Sequence, residues 1–167
     1  MKSNLILLMV LSLTSLSALA DRVAVVKDAL YEEECGACHM TYQPAFLPER
    51  SWRKIMGSLD NHFGENAELD ADTRGTLSGF LVAHAAESAG GSLSKKILKR
   101  TSDDTIPVRV SELSFFTREH REIPARLVKN NPKVKSFSRC EACHTKAASG
   151  SYREREINIP GHGRWDD

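Results

Sequence analysis

Two copies of one five-residue pattern constrain this chain more than anything else in it. Cys35-Gly36-Ala37-Cys38-His39 and Cys140-Glu141-Ala142-Cys143-His144 both read C-x-x-C-H, the attachment signature of c-type haem. At that spacing two thiols share one turn, and each can add across a haem vinyl group. The histidine that follows can then present its imidazole to the iron from one face. The chain has 4 cysteines; the motifs use them all, and each pair has its own histidine. Two covalently attached haem c groups are the expected cofactors.

A zinc site with four cysteine ligands would also use two C-x-x-C pairs, but its usual spacer is about 15–20 residues. Here 101 residues separate Cys38 from Cys140, and zinc has no need of a histidine after each pair. A redox-active C-x-x-C wants a thioredoxin-like βαβ setting, and the sequence has no such pattern. Disulfides inside the pairs would close loops too small to stabilise much.

Residues 1–20 read as a leader for export. Lys2 supplies a positive n-region, residues 5–13 are apolar except for Ser12, and Ala18-Leu19-Ala20 is a small-x-small cleavage site. The run falls short of the roughly 20 apolar residues of a spanning helix, so no transmembrane anchor is expected after cleavage. No cysteine follows it, which argues against a lipoprotein anchor. Asp21 then starts a periplasmic mature chain of 147 residues, 167 less 20. Losing Lys2 leaves 22 Lys and Arg against 22 Asp and Glu. An apoprotein without net charge has no basic field for nucleic acid, and the propionates of two haems would make the holoprotein negative.

The hydrophobic pattern of the mature chain is helical and uneven. Residues 25–37 hold Val26, Leu30 and Ala37 at helical spacing with Cys35 near the end. Pro44 and Pro48 interrupt the next stretch. Ser51 reads as the N-cap of a helix carrying Trp52, Ile55, Met56, Leu59 and Phe63 on one face, closed by Gly64-Glu65-Asn66. Asp70 reads as the cap of a third helix, with Asp72 in its first turn and Leu77, Phe80, Leu81 and His84 along one stripe. Gly90-Gly91 reads as its stop and divides an N-terminal domain, 21–90, from a C-terminal domain, 91–167. Beyond the glycines, residues 95–100 are basic and amphipathic, 106–110 extended, and 113–121 a short helix. Pro124 suits the first turn of another helix, and Ser138 reads as a cap just before Cys140. From Gly150 the chain reads as a polar tail. Aromatics are only 7% of the residues, so a porphyrin would have to supply much of the C-terminal core.

Each iron needs a sixth ligand, and His62, His84, His120 and His162 remain. His62 lies beside Phe63-Gly64, where a loop can aim it, and follows His39 by 23 residues. His120 precedes His144 by 24 residues, inside Arg118-Glu119-His120-Arg121-Glu122. His84 shares a stripe with Leu77 and Phe80 and reads as a core histidine; His162, in Pro160-Gly161-His162-Gly163, reads as a surface one. Met40 adjoins His39 and cannot cross to the opposite face. Met56 is the methionine alternative at the first haem, although it shares an apolar stripe with Trp52 and Ile55. On the residues alone the choice at each iron stays open. It matters, because a Met/His pair raises the reduction potential above bis-His, and a vacant position would admit ligands.

The runs Glu34-Cys35-Gly36-Ala37-Cys38-His39, Leu47-Pro48-Glu49-Arg50-Ser51-Trp52, Asn61-His62-Phe63-Gly64-Glu65-Asn66-Ala67 and Arg118-Glu119-His120-Arg121-Glu122-Ile123, with the late Cys140-Glu141-Ala142-Cys143-His144, resemble the proteobacterial dihaem cytochrome c family over nearly the whole mature chain. The resemblance implies a mainly α fold: an N-terminal class I cytochrome c-like helical unit and a less regular C-terminal haem-binding unit. It implies bis-histidine coordination at closely spaced irons, with His39 and His144 proximal and His62 and His120 distal. His62 is assigned to the first haem because it stays within the N-terminal helical unit; a crossed arrangement is the alternative. The implied partners are redox proteins, among them a membrane b-type cytochrome and a small oxygen-binding cytochrome.

The expected function is periplasmic electron transfer without enzymatic activity, with the cofactors supplying the chemistry and the protein setting ligand, burial and spacing. Arg50, Arg53, Arg109 and Arg121 are candidates to pair with propionates, against the plainer reading of solvated arginines. Residues 95–100 could dock an acidic partner, against the plainer reading of a solvated helix face. The rival functions are a dihaem peroxidase and a haem-based ligand-binding or sensing module. Both need an open or displaceable sixth position and predict carbon monoxide binding, and the chain is small for the peroxidase.

Overall fold

The computed structural model describes residues 22–165. The leader read over residues 1–20, and Asp21, lie outside the described residues. Asp28 sets the start of helix α1 (Ala29–Gly36): its backbone is extended, and its carboxylate accepts the Tyr31 N–H at 2.9 Å. Such a cap contributes about 1 kcal/mol. The expected helix over 25–37 therefore begins four residues later, at the cap, and carries Cys35 in its last turn.

Helix α2 (Glu49–Met56) starts after Pro48, not at Ser51. Pro48 has extended backbone, and its carbonyl accepts the N–H groups of Ser51 and Trp52 at 3.0 and 3.3 Å. Ser51 thus lies inside the first turn, fully buried. Trp52, Ile55 and Met56 form the buried face, and Trp52 Nε1 donates to the Pro44 carbonyl at 2.8 Å. The helix ends at Gly57 rather than Gly64, and a 3-10 turn, Leu59–Asn61, follows. Helix α3 (Ala71–Ala83) has the expected cap: the Asp70 carboxylate accepts the N–H groups of Asp72 and Thr73, both at 3.0 Å. Its Leu77 and Leu81 are buried against α2.

The glycine pair does not end the helical part. Helix α4 (Ala86–Ala89) follows α3, Gly90 turns the chain at φ 64°, and α5 (Gly91–Arg100) begins at once. Leu93 and Ile97 of α5, and Leu113 beyond it, belong to the same buried cluster as Tyr31, Phe46, Trp52 and Leu77. The apolar core therefore runs continuously across Gly90-Gly91. Lys95, Lys96, Lys99 and Arg100 are exposed, as the solvated face of an amphipathic helix.

The remainder is short elements: α6 (Ser114–Glu119), α7 (Ala125–Val128) capped by Pro124, several 3-10 turns, and an antiparallel pair, β1 (Asn158–Ile159) and β2 (Gly163–Arg164). The fold is mainly α. Ser138 does not cap the turn at the second motif; Arg139 takes that position and caps with no side chain. Nor is the stretch from Gly150 a loose polar tail. Ile159 is fully buried, Val23 N–H donates to the Gly150 carbonyl at 3.0 Å, and Asn158 N–H donates to the Cys143 carbonyl at 3.0 Å. Alternation of polar and apolar residues over so few positions is too short to read as strand. Among the described residues, no helix is long and apolar enough to cross a membrane.

Candidate functional site

The first motif spans the end of α1. Cys35 is half-buried, whereas Cys38 and His39 are exposed on the turn that follows. The His39 ring lies opposite His62, with ring centres 6.3 Å apart and planes inclined by only 21°. His39 Nδ1–H donates to the Met40 carbonyl at 2.7 Å, which leaves the Nε2 lone pair free for a metal.

A tight turn holds His62. Its N–H donates to the Glu65 carbonyl at 2.7 Å, and Gly64 N–H donates to Asn61 Oδ1 at 3.1 Å. Phe63 and Gly64 both take positive φ, 59° and 103°; the second suits glycine alone. Phe63 packs on His62 with ring centres 4.7 Å apart, and the Arg109 guanidinium covers its face at 3.9 Å. Burial, with smaller contributions from His39 and Arg109, lowers the His62 pKa and keeps the ring neutral.

The second motif sits on a 3-10 turn, Cys140–Ala142, with Cys143 and His144 N–H groups both donating to the Cys140 carbonyl. His144 lies opposite His120, ring centres 6.1 Å apart and planes inclined by 70°. His120 caps α6, donates from Nδ1 to the Phe116 carbonyl at 2.9 Å, stacks on Phe116 at 3.8 Å and meets the edge of Phe137 at 5.8 Å. Burial lowers the His120 pKa, and burial followed by the neighbouring His120 pushes His144 down to about 4. Around them lies a cavity of ≈ 230 Å³ lined by Cys140, Cys143, both histidines and a mostly apolar wall. That wall includes Phe46, Leu93 and Ile97 from the helical part as well as Val128, Val134, Phe137 and Trp165.

Tyr42 links the two places. Its ring is 5.5 Å from His39, and its hydroxyl donates to the Ser138 carbonyl, two residues before Cys140. Burial, then the nearby Cys140 thiol, pushes its pKa up to about 12. Burial, above all, raises the Cys35 and Cys140 thiols to about 11 and also lifts Cys143. All four cysteines are free. Among the described residues, no group of three or more His, Cys, Asp and Glu side chains converges on a metal position.

Residues 31–152 match the model of the dihaem cytochrome c family. The chain belongs to that family. The X-ray structure of a dihaem cytochrome type c from Shewanella baltica is similar at 42% identity, over 85% of this chain and 100% of that one, with a TM-score of 0.70. A dihaem cytochrome c from Rhodobacter sphaeroides is similar at 44% identity, over 77% of this chain and 98% of that one, with a TM-score of 0.69. No curated protein matches the chain.

As a dihaem cytochrome c it binds two covalently attached haem c groups, and the residues present fit them. Four free thiols stand in two C-x-x-C-H motifs. Two metal–imidazole bonds of about 2 Å, with each ring centre roughly 1 Å beyond its nitrogen, separate opposed rings by about 6 Å; the observed values are 6.3 and 6.1 Å. The apolar cavity beside the second motif suits a large flat cofactor. His144 Nδ1 is buried without a hydrogen-bond partner among the described residues.

The other candidates point elsewhere. His84 packs on Phe80 and donates from Nδ1 to its carbonyl, His162 is exposed near Trp165, and Met56 is buried in the α2 core. Arg50 donates to the Thr105 and Ser102 carbonyls at 2.7 and 2.9 Å, so it braces the 101–105 loop. Arg53 pairs with Glu49 and Arg121 with Glu122, both on the surface. Arg109 pairs with Glu112 as well as covering Phe63. Sequence reasoning missed Tyr42 and Tyr152, whose rings pack on His39 and His144. Their one signal is position: each follows a motif histidine, by 3 and 8 residues.

Proposed function

We propose that this cytochrome is a periplasmic electron carrier in which both irons are bound by two histidines, and that it is not an enzyme. Cys35 and Cys38 would hold haem 1 by thioether bonds, with His39 and His62 on its two faces. Cys140 and Cys143 would hold haem 2, with His144 and His120 on its faces. The haems would supply a one-electron Fe(III)/Fe(II) couple. The protein's part is to keep the imidazoles oriented and close to their final positions in both oxidation states. Phe116 and Phe137 hold His120 by ring packing, and the Met40 carbonyl holds His39 by a hydrogen bond.

The observation that carries the reading is the opposition of a second histidine to each motif histidine at a spacing suited to one metal atom between them. An iron so bound has no open site for peroxide or a sensed gas. The leader read in residues 1–20, and the usual export of this family, support the periplasm. The resemblance favours a membrane b-type cytochrome and a small oxygen-binding cytochrome as partners.

Low-temperature EPR and carbon monoxide titration of the holoprotein test this. The wild type should give two low-spin signals and bind no carbon monoxide when reduced. His62→Ala and His120→Ala should each lose one signal and gain a carbon monoxide site. A high-spin signal or carbon monoxide binding in the wild type would favour a peroxidase or a sensor instead. A variant that retains both signals removes that histidine from the ligand set.

A further inference from the structure

Net charge conceals a strong asymmetry. Residues 22–90 hold 6 Lys and Arg against 11 Asp and Glu, whereas residues 91–165 hold 16 against 8. The half around the first motif is therefore acidic (net −5), and the half around the second is basic (net +8).

Part of the basic charge lies on one thin wall. Residues 123–139 contain five Lys and Arg and no Asp or Glu. Ile123, Val128, Val134 and Phe137 line the cavity beside Cys140 and His144. Between them, Arg126, Lys129, Lys133 and Lys135 are exposed. Arg139 pairs with Glu141 at 3.5 Å; the other four make no ion pair among the described residues. One layer of backbone thus separates a cationic outer face from the cavity.

The wall is held in shape. Asn131 Nδ2 donates to the Leu127 and Pro160 carbonyls at 3.3 and 2.7 Å, and its Oδ1 accepts the Lys133 N–H at 3.1 Å. Lys135 stands at φ 69°, a left-handed position that glycine or asparagine would occupy with less strain.

We propose that the outer face of residues 123–139 is the docking surface for an acidic redox protein, which it sets against haem 2 rather than haem 1. The occupant is a protein and not an anionic membrane because surface anchoring combines cations with apolar side chains. Four large apolar residues of this wall, Ile123, Val128, Val134 and Phe137, line the cavity, and the exposed large hydrophobics Val25, Phe63 and Ile106 lie on other segments. The acidic half around haem 1 repels the same partner, so charge selects both the partner and the haem it meets. The proposal rests on the electron-carrier reading.

The probe is a reduced, acidic plant-type [2Fe–2S] ferredoxin mixed with the oxidised holoprotein. One electron passes from the cluster to ferric iron, and no bond is made or broken. Carbodiimide cross-linking at low salt, mapped by mass spectrometry, should join ferredoxin carboxylates to Lys129, Lys133 or Lys135. Lys129→Glu/Lys133→Glu should slow haem reduction at least ~10-fold in low salt, and the difference should vanish above about 0.5 M salt. Lys95→Glu/Lys99→Glu, an equal charge change on α5, should slow it less than about 2-fold. Equal slowing by both variants, no slowing, or cross-links confined to α5 would overturn the proposal. So would a wall variant that reacts normally with ferredoxin but no longer sediments with phosphatidylserine vesicles, because the face would then be a membrane contact. Carbon monoxide binding by the reduced wild type, with ferredoxin steering intact, would sink the carrier reading and leave the docking surface standing.

Discussion

The surroundings of His39 and His62 differ sharply from those of His120 and His144, although the two pairs have nearly the same ring separation. The first pair is built locally. One ring follows α1, the other sits in a tight turn, and His39 is exposed. The helical core beneath them, around Trp52, Leu77 and Leu81, needs no haem to be dry. The second pair is no further apart in the chain, but its surroundings come from remote segments: the cavity wall reaches from Phe46 to Trp165. Here burial is deep enough to hold His144 down to about 4. One haem thus attaches to a core that already exists, whereas the other completes a core that the polypeptide leaves open.

This contrast can be broken most forcefully by removing the attachment points. Cys140→Ala/Cys143→Ala should cost the C-terminal half on the order of 5 kcal/mol, the scale of deleting a large buried group. Hydrogen exchange should then lose protection over residues 106–165. Cys35→Ala/Cys38→Ala should leave those residues protected. Equal losses in both variants would mean that the halves fold as one unit and the contrast is false.

A smaller effect comes from two glycines at positive φ, one in each half. At Gly150 a Cβ would collide with the Val23 carbonyl oxygen and approach Val25 Cγ2 at 2.7 Å, whereas at Gly64 it would meet nothing within 4 Å. Gly150→Ala should cost about 3 kcal/mol, a fall in Tm of roughly 10 °C. Gly64→Ala carries only backbone strain, about 1 to 2 kcal/mol. Thermal unfolding followed by circular dichroism checks both.

The aromatic neighbour of each distal histidine sharpens the comparison further. Phe116 stacks on His120 inside the cavity wall, while Phe63 is 45% exposed beside His62. Phe116→Ala should cost about 3 kcal/mol and broaden the haem 2 EPR signal. Phe63→Ala should cost about 1 kcal/mol, mainly the lost Arg109 contact. Denaturant midpoints separate them.

The smallest difference is electrostatic. Hydrogen bonds from the Thr73 side chain and backbone hold the Asp70 carboxyl below its usual 3.8, and one from Ser151, aided by Lys146, holds Glu156 below its usual 4.5. A depressed folded pKa contributes stability above the unfolded value, and that stability is lost as pH falls through the folded one. Wild type should therefore exceed Glu156→Gln in Tm near pH 6, and the gap should close as pH falls below about 4. For Asp70→Asn the gap should persist to lower pH, since its unfolded value is lower.

Legibility in the sequence followed chain distance. The caps at Asp28 and Asp70 act within three residues; Asp70 was readable as a cap, and Asp28 sits inside a stretch read as helix. Ser51 misled because Pro48 supplies a free carbonyl and extended backbone without any side-chain cap. Gly90 misled because a glycine at positive φ serves equally to end one helix or to join two. The C-terminal hairpin was invisible because each strand has only two residues.

The cofactor is written in the chain's local spacing. Covalent attachment needs two thiols and a histidine at one spacing, and that requirement is met within five residues, before any folding. The fold, not chain order, brings His62 to His39 and His120 to His144, because residues 23 and 24 apart meet only once the intervening segments pack. The tertiary structure also decided which side is dry. The cavity at the second motif exists only where the helical core and the C-terminal segments meet, a closeness in space that chain order does not encode.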